Sequence, residues 1–118
     1  MEIVQYAIVL VNLDPTLGSE IQKTRPCVVV SPNEMNKHLN TIIIAPMTSS
    51  LKEYPTRVAV NHNSKKGMIA LDQIRTVDKK RILKVLGKLN KTEIQSTKEV
   101  LKEKVKETLG TVTITHTV

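Results

Sequence analysis

Apolar and polar positions alternate in short blocks along most of the chain, and one longer block near its end has a different period. Ile8 to Leu13 is an almost continuous apolar run, which reads as a buried strand closed by the turn former Asp14-Pro15. Tyr6 is assigned to this same first strand. Cys27 to Val30 gives a second strand, ended by Ser31-Pro32, and the polar stretch Asn33 to Asn40 predicts a short helical turn. Thr41 to Met47 is a third strand, in which Pro46 suggests an edge or a bulge near the end. Thr56 to Asn61 alternates as a half-buried strand should. The segment HNSKKG then turns the chain into MIALDQIRTV. Asp78 is positioned to cap a brief helix over Lys79 to Ile82, and Leu83 to Leu89 returns as a strand.

After Asn90 the period lengthens. Thr92 and Gln95 suggest a capping box, and Ile94, Leu101, Val105 and Leu109 then share one helical face, with Gly110 as the stop. Glu99 with Lys102, and Glu103 with Lys106, are spaced to pair along that helix. The helix is predicted to lie on the domain and not on a membrane, because its apolar face is narrow and has no aromatic residue. The alternating end, GTVTITHTV, fits either an added edge strand or a loose tail. The pattern therefore predicts one domain over residues 1–118, mainly β (α+β). It comprises a small curled barrel over about 1–89, a C-terminal amphipathic helix over about 92–109 and a tail over 110–118.

Composition narrows the chemistry. With two Tyr, no Phe and no Trp, the core must be aliphatic. The net charge of +7 favours a polyanionic partner, either nucleic acid or an acidic protein. Lys79, Lys80, Arg81, Lys84, Lys88 and Lys91 concentrate that charge in one stretch. Cys27, the single cysteine, excludes an internal disulfide and reads as a small buried hydrophobe in a reducing compartment. The first Lys or Arg is Lys23, which is unlike a signal peptide, and no apolar run has the length of a membrane span, so the expected location is the cytoplasm.

His38, His62 and His116 lie far apart and read as surface residues, the carboxylates are scattered, and no metal-ligand spacing appears. Nor is there a glycine-rich phosphate loop or a Ser/His signature. An enzyme built from this sequence is expected to work with neither metal nor cofactor. One reaction fits. RNA carries its own nucleophile, the ribose 2′-OH, beside the phosphate to be broken, so orientation and charge stabilisation suffice. In GSEIQKTRP, Pro26 biases Arg25 toward an extended backbone and the following strand anchors it. The guanidinium is permanently charged, planar and able to hold two phosphate oxygens. Thr48, at the strand-to-loop junction of APMTSS, offers a hydroxyl.

The blocks LDPTLGSEIQKTRPCVVVSP, IIIAPMTSS and ALDQIRTVDKKRI, spanning about residues 8 to 89, resemble the MazF/PemK family of toxin endoribonucleases, the mRNA interferases of toxin–antitoxin pairs. The resemblance implies a small SH3-like β-barrel of the CcdB/MazF type and a homodimer. It also implies sequence-selective cleavage of single-stranded RNA to 2′,3′-cyclic phosphate and 5′-OH ends, and an acidic antitoxin over the groove, with DNA met only through the antitoxin complex. The family's catalytic pair falls on Arg25 and Thr48. Gly18, Ser19 and Glu20 fall on its loop over the groove, and Gln73 and Arg75 on its DQxRT block. Thr24, Ser49, Ser50 and Tyr54 complete the expected RNA contacts. Arginine does not deprotonate in proteins, so the proton acceptor is left to Glu20, Asp72 or water. Asp72 also reads as a structural residue, with Arg75 as its partner. Ser19, Ala70 and Met68 stand where relatives carry His, Arg and Trp, which leaves the version centred on Arg25 and Thr48. The rival readings are a non-catalytic toxin that grips a protein, as the CcdB-type gyrase poisons do, and an RNA-binding regulator that has lost cleavage.

Overall fold

The computed structural model describes residues 2–109, and for 105–109 the course of the backbone alone. The elements run β1 (Ala7–Asn12), β2 (Thr24–Val29), α1 (Asn33–His38), β3 (Thr41–Thr48), β4 (Arg57–His62) and β5 (Lys65–Ala70). A 3₁₀ turn at Leu71–Gln73 leads to β6 (Arg75–Asp78), and a second at Lys79–Arg81 leads to β7 (Ile82–Lys88) and α2 (Lys91–Leu109). All the pairings are antiparallel, in the order β4-β5-β3-β2-β1-β7, with β6 against the first half of β3.

Alternation along the strands separates two apolar layers. Val9, Val11, Cys27, Val29, Ile42 and Ile44 form one. Ile8, Val28, Ala45, Val58, Val60 and Ile69 form the other, which α2 covers with Ile94, Val100 and Leu101. Each Val, Leu or Ile among them, fully buried, is worth about 1.5–3 kcal/mol, so an aliphatic core without Phe or Trp is sufficient. The sheet curls into a half-barrel whose two outer strands approach each other. The His62 ring of β4 lies against Gly87 of β7, where a Cβ would come within 3.0 Å of Cε1.

Strand positions match the apolar runs to within a few residues, and the Asp78 cap forms, its carboxylate accepting from Lys80 N at 2.8 Å. Four expectations are corrected. Tyr6 precedes β1, at φ 67°, instead of opening the strand. The capping box is Asn90 with Glu93, not Thr92 with Gln95: Glu93 N donates to Asn90 Oδ1 at 2.8 Å and Asn90 N to Glu93 Oε1 at 3.0 Å. The second oxygen of Glu93 accepts from Asn61 N at 2.9 Å and so satisfies a donor on the outer edge of β4. Glu99 accepts from Gln95 Nε2 at 3.1 Å and makes no pair with Lys102. Pro46 is on neither an edge nor a bulge, because β3 has neighbours on both sides. The side chains of Val105 and Lys106, the Gly110 stop, His116 and the tail 110–118 lie outside the described residues.

Pro46 stands where β3 changes its neighbour. Up to Ile44 that side pairs with β6, and from Met47 it pairs with β5. The missing N–H therefore falls at the changeover and leaves no ladder bond broken. Pro26 works similarly on the other side. Val30 N donates to Ile43 O at 2.9 Å, and Val28 pairs with Ala45 in the same register. The next bond in that series would run from residue 26 to the Met47 carbonyl, and proline has no N–H to give. The β2–β3 ladder ends there and the strands fork.

Candidate active site

In the fork stand Arg25 and Thr48, each two residues past the last ladder pair, Cys27 with Pro46. They line one concave space of about 280 Å³, together with Pro26, Met47, Ser49, His62 and the Lys65–Gly67 segment. Arg25 is half-buried and lies within β2, so its backbone is extended. Its Nε donates to Gln22 O at 3.3 Å. The Cys27 thiol donates to the Arg25 carbonyl at 3.5 Å. The two terminal guanidinium nitrogens take no partner among the described residues. Thr48 Oγ1 accepts from Ser50 N at 3.2 Å, which occupies a lone pair and leaves the hydroxyl proton to donate. Ser49 and Ser50 thus serve the site in different ways, one as lining and one by turning the Thr48 hydroxyl.

A second hollow, of about 210 Å³, adjoins the first along β3, ending at Pro46 where the other begins at Met47. It holds Glu20, Asp72, Gln73 and Arg75. Gln73 Oε1 accepts from Ile21 N at 2.8 Å, and Arg75 Nη1 donates to Leu13 O at 3.1 Å. Arg81 Nη1 donates to the carbonyls of Asn12 and Asp14. Two arginines and a glutamine therefore fasten both ends of the 14–22 loop. Its root is closed by Leu13 N to Lys23 O at 2.9 Å and Lys23 N to Asp14 Oδ1 at 2.9 Å. Gly18, at φ +55°, supplies the left-handed turn within the loop, and Ser19 beside it is exposed. Glu20 Oε1 accepts from Leu17 N, so its carboxylate serves its own loop, one cavity away from Arg25. Thr24 is exposed at the start of β2, opposite Asn12.

Asp72 pairs with Arg57 and not with Arg75. Arg57 Nε lies 2.7 Å from Oδ1 and Nη2 lies 3.2 Å from Oδ2, and the Thr56 hydroxyl adds a bond at 3.1 Å. The Arg57 hydrogen bonds hold the Asp72 carboxyl below the usual carboxylate range, against the opposing effect of burial. A carboxylate so stabilised is a poor proton acceptor. The central carbon of the Arg57 guanidinium is 5.2 Å from the centre of the Tyr54 ring, and Lys52 Nζ is 5.9 Å from it. Tyr54 is exposed and lines neither hollow.

Three residues at the site escaped the sequence reading. His62, Lys65 and Lys66 come from the far end of the β4–β5 hairpin, whose turn at Asn63 and Ser64 has φ 51° and 64°. His62 is half-buried, its Nε2 is enclosed without a hydrogen-bond partner, and it is not the surface residue expected. Gly67 accounts for the closeness of the hairpin to Thr48, since a Cβ there would lie 2.9 Å from the Thr48 carbonyl oxygen. Cys27 is fully buried, and burial pushes its thiol up to about 12 while the Arg75 charge pulls it partly back. Among the described residues no three His, Cys, Asp or Glu side chains cluster as metal ligands would, and no helix is long and apolar enough to cross a membrane.

Residues 4–105 match the model of a family described as PemK-like, MazF-like toxin of type II toxin–antitoxin system. The chain is 33% identical over 93 residues to the Endoribonuclease MazF of Staphylococcus epidermidis, a match covering 74% of this chain and 78% of that protein. The fold is similar to that of MazF from Deinococcus radiodurans, with a TM-score of 0.79 at 23% identity over 89% of this chain and 97% of that one. It is also similar to an endoribonuclease in complex with its cognate antitoxin from a mycobacterial species, with a TM-score of 0.75 at 19% identity over 87% and 94% of the two chains.

Proposed function

Because the chain belongs to the PemK-like, MazF-like toxins of type II toxin–antitoxin systems, we propose that it is an endoribonuclease that cuts single-stranded RNA sequence-selectively without a metal ion. The observation that carries this reading is the meeting of Arg25 and Thr48 in one hollow at the β2–β3 fork. In the reaction the ribose 2′-oxygen attacks the adjacent phosphorus as its proton leaves. The bond from phosphorus to the 5′-oxygen then breaks, giving a 2′,3′-cyclic phosphate and, once that oxygen gains a proton, a 5′-hydroxyl. The two unpartnered guanidinium nitrogens of Arg25 hold the non-bridging oxygens as negative charge grows, and the Thr48 hydroxyl donates a further bond. Water takes the 2′-OH proton and returns one to the 5′-oxygen, which Arg25 helps to protonate, since Glu20 and Asp72 accept bonds in the adjoining hollow. Gln73 and Arg75 hold the loop bearing Gly18 and Ser19 over the strand, while Thr24, Ser49, Ser50 and the exposed face of Tyr54 contact the neighbouring nucleotides.

The chain acts as a cytoplasmic homodimer, and an acidic antitoxin silences it by covering the groove. The net charge of +7 supports both polyanionic partners. The test is incubation with RNA in EDTA, alongside a DNA strand carrying a single ribonucleotide. Fragments are expected, with the DNA cut only after its ribonucleotide. Arg25→Ala is expected to remain folded and to cut at least about a hundredfold more slowly, the scale of losing one oxyanion donor. A folded Arg25→Ala protein with undiminished cleavage would remove the proposal. Absence of cleavage by the unaltered protein would favour a toxin that grips its target without cutting.

A further inference from the structure

Beyond the fork, a third and larger hollow of about 430 Å³ shares Lys66 and Gly67 with the Arg25–Thr48 space. Its floor follows from register. Thr48 is paired with Met68, and Met68 with Ala59, so these three side chains stand in a row across β3, β5 and β4 on one face of the sheet. Asn61 and Lys66 are the next cross-strand pair on that face. The result is a platform one strand spacing, about 5 Å, from Thr48. Met68 and Ala59 make it apolar on the near side, and the Asn61 amide with the Lys66 ammonium makes it polar on the far side. Leu51, 56% exposed, stands at its edge.

The charges choose the occupant. Glu53 and Glu93 also line the hollow. Both oxygens of Glu93 are taken by the backbone amides of Asn61 and Asn90, so it is a fixed negative wall and not an available acceptor. Such a wall repels a phosphate or an acidic peptide and tolerates an uncharged planar group. The side-chain amide of Asn61 and the ammonium of Lys66 have no partner among the described residues. An amide that can donate and accept together is the side chain suited to the edge of a base. We infer that this platform is a base-selecting subsite. It takes the nucleobase next to the scissile phosphate, with Met68 under the ring, Asn61 reading its edge, and Lys66, shared by the two hollows, adding its charge to that phosphate. A protein with so few aromatic residues would thus replace ring stacking with a thioether. The inference rests on the reading of the Arg25–Thr48 site as the place of phosphate cleavage.

The test separates binding from cutting. A random pool of fully 2′-O-methylated RNA, which cannot be cleaved, is selected on the intact protein and sequenced. Enrichment of a motif is expected. Asn61→Ala is expected to lower the preference at one position about fivefold or more while the other positions stay as they were. Lys66→Ala is expected to weaken all sequences about equally and to reduce the salt slope by about one. Should Asn61→Ala fail to fold by thermal melting, Asn61→Gln keeps the amide and moves it, and the same position is expected to change. An unchanged motif in both Asn61 variants, or no motif with the unaltered protein, overturns the inference. So does displacement of an acidic peptide, instead of RNA, by these substitutions. If ordinary RNA is not cut but Asn61→Ala still reshapes the selected motif, the cleavage proposal falls and the subsite stands.

Discussion

Gly67→Ala offers a test of how the site is built, because it adds one methyl group outside the proposed chemistry. The new Cβ would lie 2.9 Å from the Thr48 carbonyl oxygen, about half an ångström inside ordinary van der Waals contact. The obstacle is backbone and cannot rotate away. Either β5 or Thr48 must move. Forcing extra volume into a packed place costs about 1–3 kcal/mol, and replacing glycine by alanine returns about 0.4–1 kcal/mol by restricting the unfolded chain. The difference centres near 1 kcal/mol of lost stability, or a fall in Tm of roughly 5 °C for a domain of this size. Cleavage should suffer separately. If a 1 Å misplacement costs about a hundredfold, half of that costs roughly tenfold. Gly87→Ala is the comparison, because the atoms nearest its Cβ belong to the side chain of His62, at 3.0 Å, and not to backbone. It should lose less stability and less activity. Circular dichroism melts and gel assays of RNA cleavage measure both quantities. A Gly67→Ala protein that melts and cuts like the unaltered chain would show that β5 does not press on Thr48. One that loses stability but keeps its rate would show that the position of Thr48 is irrelevant to turnover.

Three further outcomes are expected. Cys27, buried with its thiol pushed up to about 12, should resist iodoacetamide at pH 8 in the folded protein and react in urea; equal rates would mean that the core opens freely. The Asp72 carboxyl is held low by Arg57, so its contribution to stability is complete above the unfolded value near 3.9 and is lost as pH falls through the lower folded value. The gap in Tm between the unaltered protein and Asp72→Asn should therefore hold from pH 7 to about 5 and narrow below about 4, and an undiminished gap in strong acid would contradict the pairing. Asn90→Ala should cost about 1 kcal/mol by removing the helix cap, whereas Thr92→Ala should cost much less, and the reverse order in denaturant melts would restore the box first expected.

Most strands were legible in the sequence as aliphatic runs or clean alternation, although β6 (RTVD) was not separated from the segment before it, and Arg25 was legible because proline fixes what precedes it. The alliances between distant segments were not. Arg75 follows Asp72 closely in the chain and Arg57 lies a whole strand before it, yet the β4–β5 hairpin brings the more distant arginine to the carboxylate. The cap at Asn90 was missed because Glu93 was credited with no role, although it serves both the helix and the edge of β4. His62 and Lys66 carry no local signature at all. Their nearness to Thr48 depends on a register that alternation permits but does not fix. Pro46 was misread for the same reason, since a proline that breaks a ladder and one that sits at a changeover look alike in one dimension.

The proline at the fork, Pro26, has a consequence for how such a protein stays usable. Two neighbouring strands left a few residues apart tend to zip together, and any slot between them is lost when they do. Here the chain has removed one donor that zipping would use, on the side facing the slot. Part of that openness is written covalently, because no refolding can restore a donor that the proline ring has removed.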